Sequence, residues 1–156
     1  ETRRFCFEAF LPCDKKERER VLAELRNETR TIVLYEAPHH LRKTLAELER
    51  VLGAERWLTV CRELTKRFEE RLSMTLGEAV RFYEQNEPKG EFVLVIRGRS
   101  PRELEAEKRK GWETVSLEDH LRQYLDQGLP KKEAMKQMAK DRGVSKRDIY
   151  QALMDG

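Results

Sequence analysis

The residue types best suited to chemistry gather where apolar runs stop. Ile32, Val33, Leu34 and Tyr35 form a short run of strand residues that ends before Pro38, whose ring lacks an N–H and so closes a ladder and opens a helix. Small ligands lodge outside the carboxyl ends of strands in open α/β sheets, which makes Tyr35, Glu36 and Ala37 candidate site residues. A second polar block, Arg62, Glu63, Thr65, Lys66 and Glu69, follows another apolar run, 57–61. Such a block suits ligand binding or proton transfer, and equally a local ion-pair network. No spacing for a Ser or Cys nucleophile, no P-loop and no dinucleotide fingerprint occurs. Cys6, Cys13 and Cys61 lack a C-x-x-C spacing and are expected as buried small hydrophobes. His39 and His40, adjacent on a helix, are expected to turn away from each other, and His120 stands far along the chain, so no metal site is expected.

The elements that must position these residues follow from pattern. Residues 5–11 read as a strand, and Asp14 with Glu17 forms a capping-box pattern that opens a helix carrying Val21, Leu22 and Leu25 inward. A strand at 31–37 leads into a helix whose Leu41, Thr44, Leu45, Leu48, Val51 and Leu52 recur at helical spacing until Gly53. Residues 57–64 and 68–76 read as strands, 77–85 as a helix, and 92–96 as a buried strand after the turn Pro88-Lys89-Gly90. The alternation predicts an α/β fold with a mixed sheet of about five strands and flanking helices. Residues 99–115 are highly charged and poor in aliphatics, and are expected as a mobile linker between an α/β domain, 1–98, and a small domain, 116–156. In the latter, Ser116 with Asp119 and Ser145 with Asp148 cap helices, with Leu117, Leu121, Tyr124, Leu125, Ile149 and Leu153 inward. Three short helices with a tight Gly143-Val144 turn predict a helix-turn-helix-like tail.

Composition sets bounds on the class. With 156 residues, 38% hydrophobic, the chain can bury one good core plus an appendage. No apolar run approaches membrane-spanning length and no secretory signal is seen, so a cytoplasmic home without membrane contact is expected. The net charge of +3 is compatible with a nucleic-acid partner without demanding one. Much of the cluster Lys15, Lys16, Arg18 and Arg20 is interleaved with Glu17, Glu19 and Glu24, the pattern of a solvated, ion-paired helix face.

Three ordered motifs, YEAPHHL at 35–41, CRELTKRFEE at 61–70 and KGEFVLVIRG at 89–98, resemble the C-terminal half of ribosomal RNA small-subunit methyltransferase I, a family of the tetrapyrrole methylase superfamily. FCFEAFLP at 5–12 resembles the segment leading into that half, and 117–153 its helical appendage. The resemblance implies a fragment, since the family's first domain with its Gly-rich loops has no counterpart here and Glu1 is not a Met. Where the family usually has Gly stands Ala9, expected to limit any left-handed turn. His40 replaces an Arg, and Leu72 and Ser73 replace an Arg-Gly pair.

The resemblance implies methyl transfer from S-adenosylmethionine to the 2′-oxygen of a cytidine in small-subunit ribosomal RNA, by a homodimer. It implies a cofactor pocket at Leu34, Tyr35, Glu36, Glu91 and Phe92. It also implies RNA contacts at His39, His40, Arg62, Lys66, Arg67, Lys146 and Arg147, with Glu63, Lys66 or Glu69 as candidate catalytic groups. Two other functions fit the residues: a tetrapyrrole methylase acting on a corrin or porphyrin precursor, for which a basic tail has no use, and a non-enzymatic nucleic-acid-binding regulator.

Overall fold

A computed structural model describes residues 3–154, which divide into two compact units, the first ending at Arg99 and the second beginning at Ser100. The first is an α/β layer built from β1 (Phe5–Phe10), α1 (Lys15–Leu25), β2 (Thr31–Glu36), α2 (Pro38–Leu52), β3 (Trp57–Arg62), β4 (Glu70–Thr75), α3 (Leu76–Gln85) and β5 (Phe92–Ile96). The sheet is mixed and five-stranded in the order β1-β2-β5-β3-β4, with only β1 and β2 parallel. Its core joins Ile32, Leu34, Leu58, Val60, Phe92, Leu94 and Ile96 of the strands to Leu22, Leu41, Leu45, Leu48 and Leu76 of the three helices. Each such side chain gains about 1.5–3 kcal/mol by leaving water. The helices therefore share one face of the sheet, and the alternate strand positions Phe7, Phe10, Tyr35 and Trp57 are exposed on the other.

Local chemistry sets the ends of the elements. Asp14 caps α1 by accepting from the N–H of Glu17, Pro38 occupies the first turn of α2, and Thr75 with Glu78 forms a complete capping box on α3. The β1–β2 register slips between Phe7 and Ala9, so that Glu8 is the extra residue of a bulge. Ala9 takes φ 49°, against the expectation that alanine limits a left-handed turn; the bulge re-aims the strand and the surrounding ladder holds the strained residue in place. Two further expectations are corrected. Cys13 is exposed and Cys6 half-buried, leaving only Cys61 as a buried thiol. His39 and His40 lie with ring centroids 4.2 Å apart, because both are exposed at the start of α2 and their rings lean together across the roughly 100° between successive helix residues.

The second unit holds α4 (Pro101–Glu113), α5 (Leu117–Asp126), α6 (Lys131–Arg142) and α7 (Lys146–Met154). Residues 99–115, expected as a mobile linker, thus carry a helix. Ser100 and Glu103 form its capping box, and Trp112 stacks at 3.6 Å on His120 of α5. Composition concealed α4 because its one anchoring aromatic lies among charges. Met135, Met138, Ala139 and Ile149 form the small core, packed by Leu117, Leu121, Tyr124 and Leu153. Leu125, expected inward, is 42% exposed, and His120 takes the buried position on α5. Gly143 makes the left-handed turn between α6 and α7.

His120 is fully buried. Its Nδ1 accepts from Arg142 Nε at 3.1 Å, which leaves the ring proton on Nε2. Nε2 lies 3.3 Å from Asp141 Oδ2 without hydrogen-bond alignment, and Tyr124 donates its hydroxyl to that same oxygen. Burial, and next the Arg142 guanidinium, push the imidazole below its ordinary value, with Asp141 opposing. The unfolded chain then takes up a proton near pH 6.5 that the folded unit resists, so this unit should lose stability as pH falls through that value. Acid titration of Trp112 fluorescence in a Trp57→Phe background is expected to show this loss, and His120→Phe to abolish it. In the first unit, Ala9→Gly is expected to stabilise by about 0.5 kcal/mol in urea melts, relief of left-handed strain slightly outweighing the added freedom of the unfolded chain.

Candidate binding cavity at the strand ends

The carboxyl ends of β2 and β3 lie on either side of the start of β5, since Glu36 and Arg62 both pair with Phe92. At this junction opens a cavity of about 640 Å³ lined by Phe10, Val33, Tyr35, Glu36, Ala37, Pro38, Leu64, Glu91, Phe92 and Val93. Its volume and its apolar walls with a few acidic groups are those of a small-molecule site. Tyr35 stands edge-on to both Phe7 and Phe10, with centroids 5.0 and 5.7 Å away, so one wall is a fixed aromatic cluster.

Glu36 supplies a carboxylate that is only 6% exposed. Oε1 accepts from the N–H of Ala37 at 2.8 Å and Oε2 from the Thr44 hydroxyl at 2.5 Å, while Thr44 in turn accepts from Arg18 at 2.7 Å. Arg18 also donates to Glu47 at 2.7 Å. A buried carboxylate requires such partners, and these tie β2, α1 and α2 together beneath the cavity.

The rim is formed by the β3–β4 connection, 63–69. Glu63 and Thr65 have φ of 50° and 65°, a strained turn beside the site. Glu63 Oε1 accepts from the N–H of Glu91 at 2.7 Å, and Lys66 Nζ bridges Glu63 at 3.3 Å and Glu91 at 3.0 Å. The Glu91 N–H, and next Lys66, hold the Glu63 carboxyl below the usual carboxylate range. Thr65's N–H, followed by Arg71, does the same for Glu69. Both carboxyls are therefore ionised at neutral pH. Arg62 pairs with Glu70 at 3.1 Å, and Arg67 sits over the Phe68 ring.

Of the residues singled out from sequence, Tyr35, Glu36, Glu91 and Phe92 share one cavity, with Glu63 and Lys66 at its rim. Leu34 does not join them. It alternates with Tyr35 and is fully buried on the helix side of the sheet. His39 and His40 are exposed on the first turn of α2, and Lys146 and Arg147 are exposed on the first turn of α7 in the second unit. Sequence reasoning missed the Arg18–Thr44–Glu36 chain, whose signal was a Thr on the otherwise apolar stripe of α2. It also missed Phe10, Val33, Leu64 and Val93, apolar residues that nothing in the sequence separates from core. No cluster of His, Cys, Asp or Glu among the described residues could hold a metal ion, and no described helix is long and apolar enough to cross a membrane.

No protein-family model matches the chain. A protein of Synechocystis sp. named ribosomal RNA small subunit methyltransferase I is 42% identical over 99% of this chain and 53% of its own length. One of the same name from Halalkalibacterium halodurans is 44% identical over 96% of this chain and 50% of its own. The chain is homologous to these proteins throughout both units and spans about half their length. A solved cobalt precorrin-4 methyltransferase overlaps with a TM-score of 0.42 and 18% identity over 59% of this chain and 39% of its own, too loosely to carry an argument.

Gly90, at φ 87°, has no room for a side chain: a Cβ there would lie 2.6 Å from Glu63 Oε1. Gly90→Ala is expected to expel Glu63 from the Glu91 N–H and destabilise the protein by about 1–3 kcal/mol in urea melts, combining left-handed strain with the lost hydrogen bond.

Proposed function

We propose that this chain is the C-terminal half of an S-adenosylmethionine-dependent methyltransferase that modifies a cytidine 2′-oxygen of small-subunit ribosomal RNA, as a cytoplasmic homodimer. The observation that carries this reading is homology to proteins named ribosomal RNA small subunit methyltransferase I along both units. The cavity supports it. S-adenosylmethionine couples an aromatic adenine to a sulfonium, an ammonium and a carboxylate, with a net positive charge, and the cavity joins apolar and aromatic walls to Glu36 and Glu91, with Glu63 at the rim. Lys66 offsets part of their negative charge, and Arg62 and Arg18 are paired with Glu70 and Glu47, so the three carboxylates suit a net-positive ligand and oppose a macrocycle with many carboxylates.

In the transfer, the S–CH₃ bond breaks as the O–CH₃ bond forms, the sulfonium becomes a neutral thioether, and the hydroxyl proton passes to a base. The chain's residues would bind and orient the reactants, with Tyr35, Glu36, Glu91 and Phe92 contributing to the donor pocket. Glu63 is the candidate base: it is ionised, although its two hydrogen bonds weaken its basicity. Lys66 is held by two carboxylates, so its role in this reading is to set the charge of the rim as well as to meet RNA. His39, His40, Arg62 and Arg67 are further candidate RNA contacts of the first unit. In the second, residues 131–154 hold seven Lys and Arg against three Asp and Glu, with Lys146 and Arg147 exposed. That charge supports contact with phosphates.

The test is transfer of labelled methyl from S-adenosylmethionine to small-subunit ribosomal RNA by the protein made from its complete reading frame. One methyl per RNA on a cytidine 2′-oxygen is expected, with Lys66→Ala lowering transfer more than donor affinity. Label on a base would overturn the 2′-oxygen assignment, and no transfer the reading as a whole.

A further inference from the structure

Away from the strand-end cavity, α1 and α2 enclose a cleft of about 220 Å³ lined by Cys13, Lys15, Arg18, Glu19, Leu22, Lys43, Glu47 and Arg50. Four cations face two carboxylates. Arg18 and Glu47 neutralise each other at 2.7 Å, and Arg18 is fixed further by Thr44 and, at 3.4 Å, by the carbonyl of Pro12. They form a rigid, paired floor. Lys15, Lys43 and Arg50 have no ion-pair partner among the described residues, and all three are exposed. Three unpaired cations thus converge from two helices on one cleft, with Glu19 the only uncompensated acid. Elsewhere on α1, Arg20 is spent within the helix, pairing with Glu24 and Glu17.

We infer that this α1–α2 cleft binds a phosphate of an RNA strand, gripped by Lys15, Lys43 and Arg50. The choice of an RNA strand as the source of the phosphate rests on the proposed function. At about 220 Å³ the cleft has room for a phosphodiester to displace several waters. Flexible lysines and an arginine read a phosphate as charge and do not discriminate sequence, so the contact positions the strand without specifying it.

The site is testable because its charges have opposite signs. In the protein made from its complete reading frame, Lys15→Ala/Lys43→Ala/Arg50→Ala is expected to lower affinity for small-subunit ribosomal RNA about tenfold at low salt. It should also flatten the dependence of log affinity on log salt by about one. Glu19→Gln is expected to tighten binding on the order of twofold. All four side chains are exposed, so circular dichroism should be unchanged. Unchanged RNA affinity and salt slope in the triple variant, with methylation by the wild type intact, would overturn this site alone, whereas a wild type that binds no RNA would overturn both the site and the proposed function. Inorganic pyrophosphate separates the sources: micromolar binding abolished in the triple variant, with RNA affinity unaltered, would assign the cleft to a free phosphate compound and overturn the RNA strand.

Discussion

The placement of β5 between β2 and β3 governs the rest of the first unit. It runs antiparallel to both, so its first residues lie beside the last residues of each neighbour. Backbone polarity alone therefore brings Glu91 to Glu63 and Phe92 to Glu36. No hairpin could do this, since β3 and β5 are separated in sequence by β4 and α3. The same strand buries Phe92, Leu94 and Ile96 against the helices while Val93 faces the cavity, so one alternating pentapeptide fixes both core and site.

That arrangement leaves a polar problem at the end of β2. Glu36 falls on the helix side of the sheet, where an unpartnered carboxylate would cost several kcal/mol. The solution recruits Thr44 from α2 and Arg18 from α1, so that the helices are held to the strand end by directional bonds as well as by leucines. The second unit has its own version. His120 is buried with one nitrogen satisfied by Arg142 and the other poorly aligned to Asp141, and the Trp112 stack brings α4 into the unit. In both units a buried polar group names the contacts between elements more specifically than apolar packing does.

Much of this was legible in the sequence. Element order, the mixed five-stranded sheet and the caps at Asp14, Thr44's inward position and Gly53 followed from periodicity and from residues with a single local use. Tyr35, Glu36, Glu91 and Phe92 could be brought together because strand ends, turns and the family resemblance pointed to the same places. What was not legible was geometry that composition does not encode. Ala9 in a left-handed bulge and α4 within a charged run depend on register and on one stacked aromatic, whereas Leu34 facing away from Tyr35 follows from strand alternation that the family resemblance overrode.

Charge shows the limit most directly, because a cation's availability depends on its neighbours and not on its type. Lys66 and Arg62, conspicuous in sequence, are each taken up by carboxylates on adjoining segments. Lys15, in a stretch that reads as interleaved and self-neutralised, is joined across space by Lys43 and Arg50, which the α1–α2 packing delivers from a different helix. Helical phase sets only which neighbours are possible, since a residue three or four positions away shares a face and one or two positions away does not. Arg20 finds Glu17 and Glu24 by that rule, and Arg18 finds Glu47 because its side of α1 meets α2. Lys15 faces the same groove as Arg18 and is left with only Glu19 on the rim. Three unpaired cations therefore meet between α1 and α2, while acidic groups line the strand-end cavity, and the two surfaces favour ligands of opposite sign.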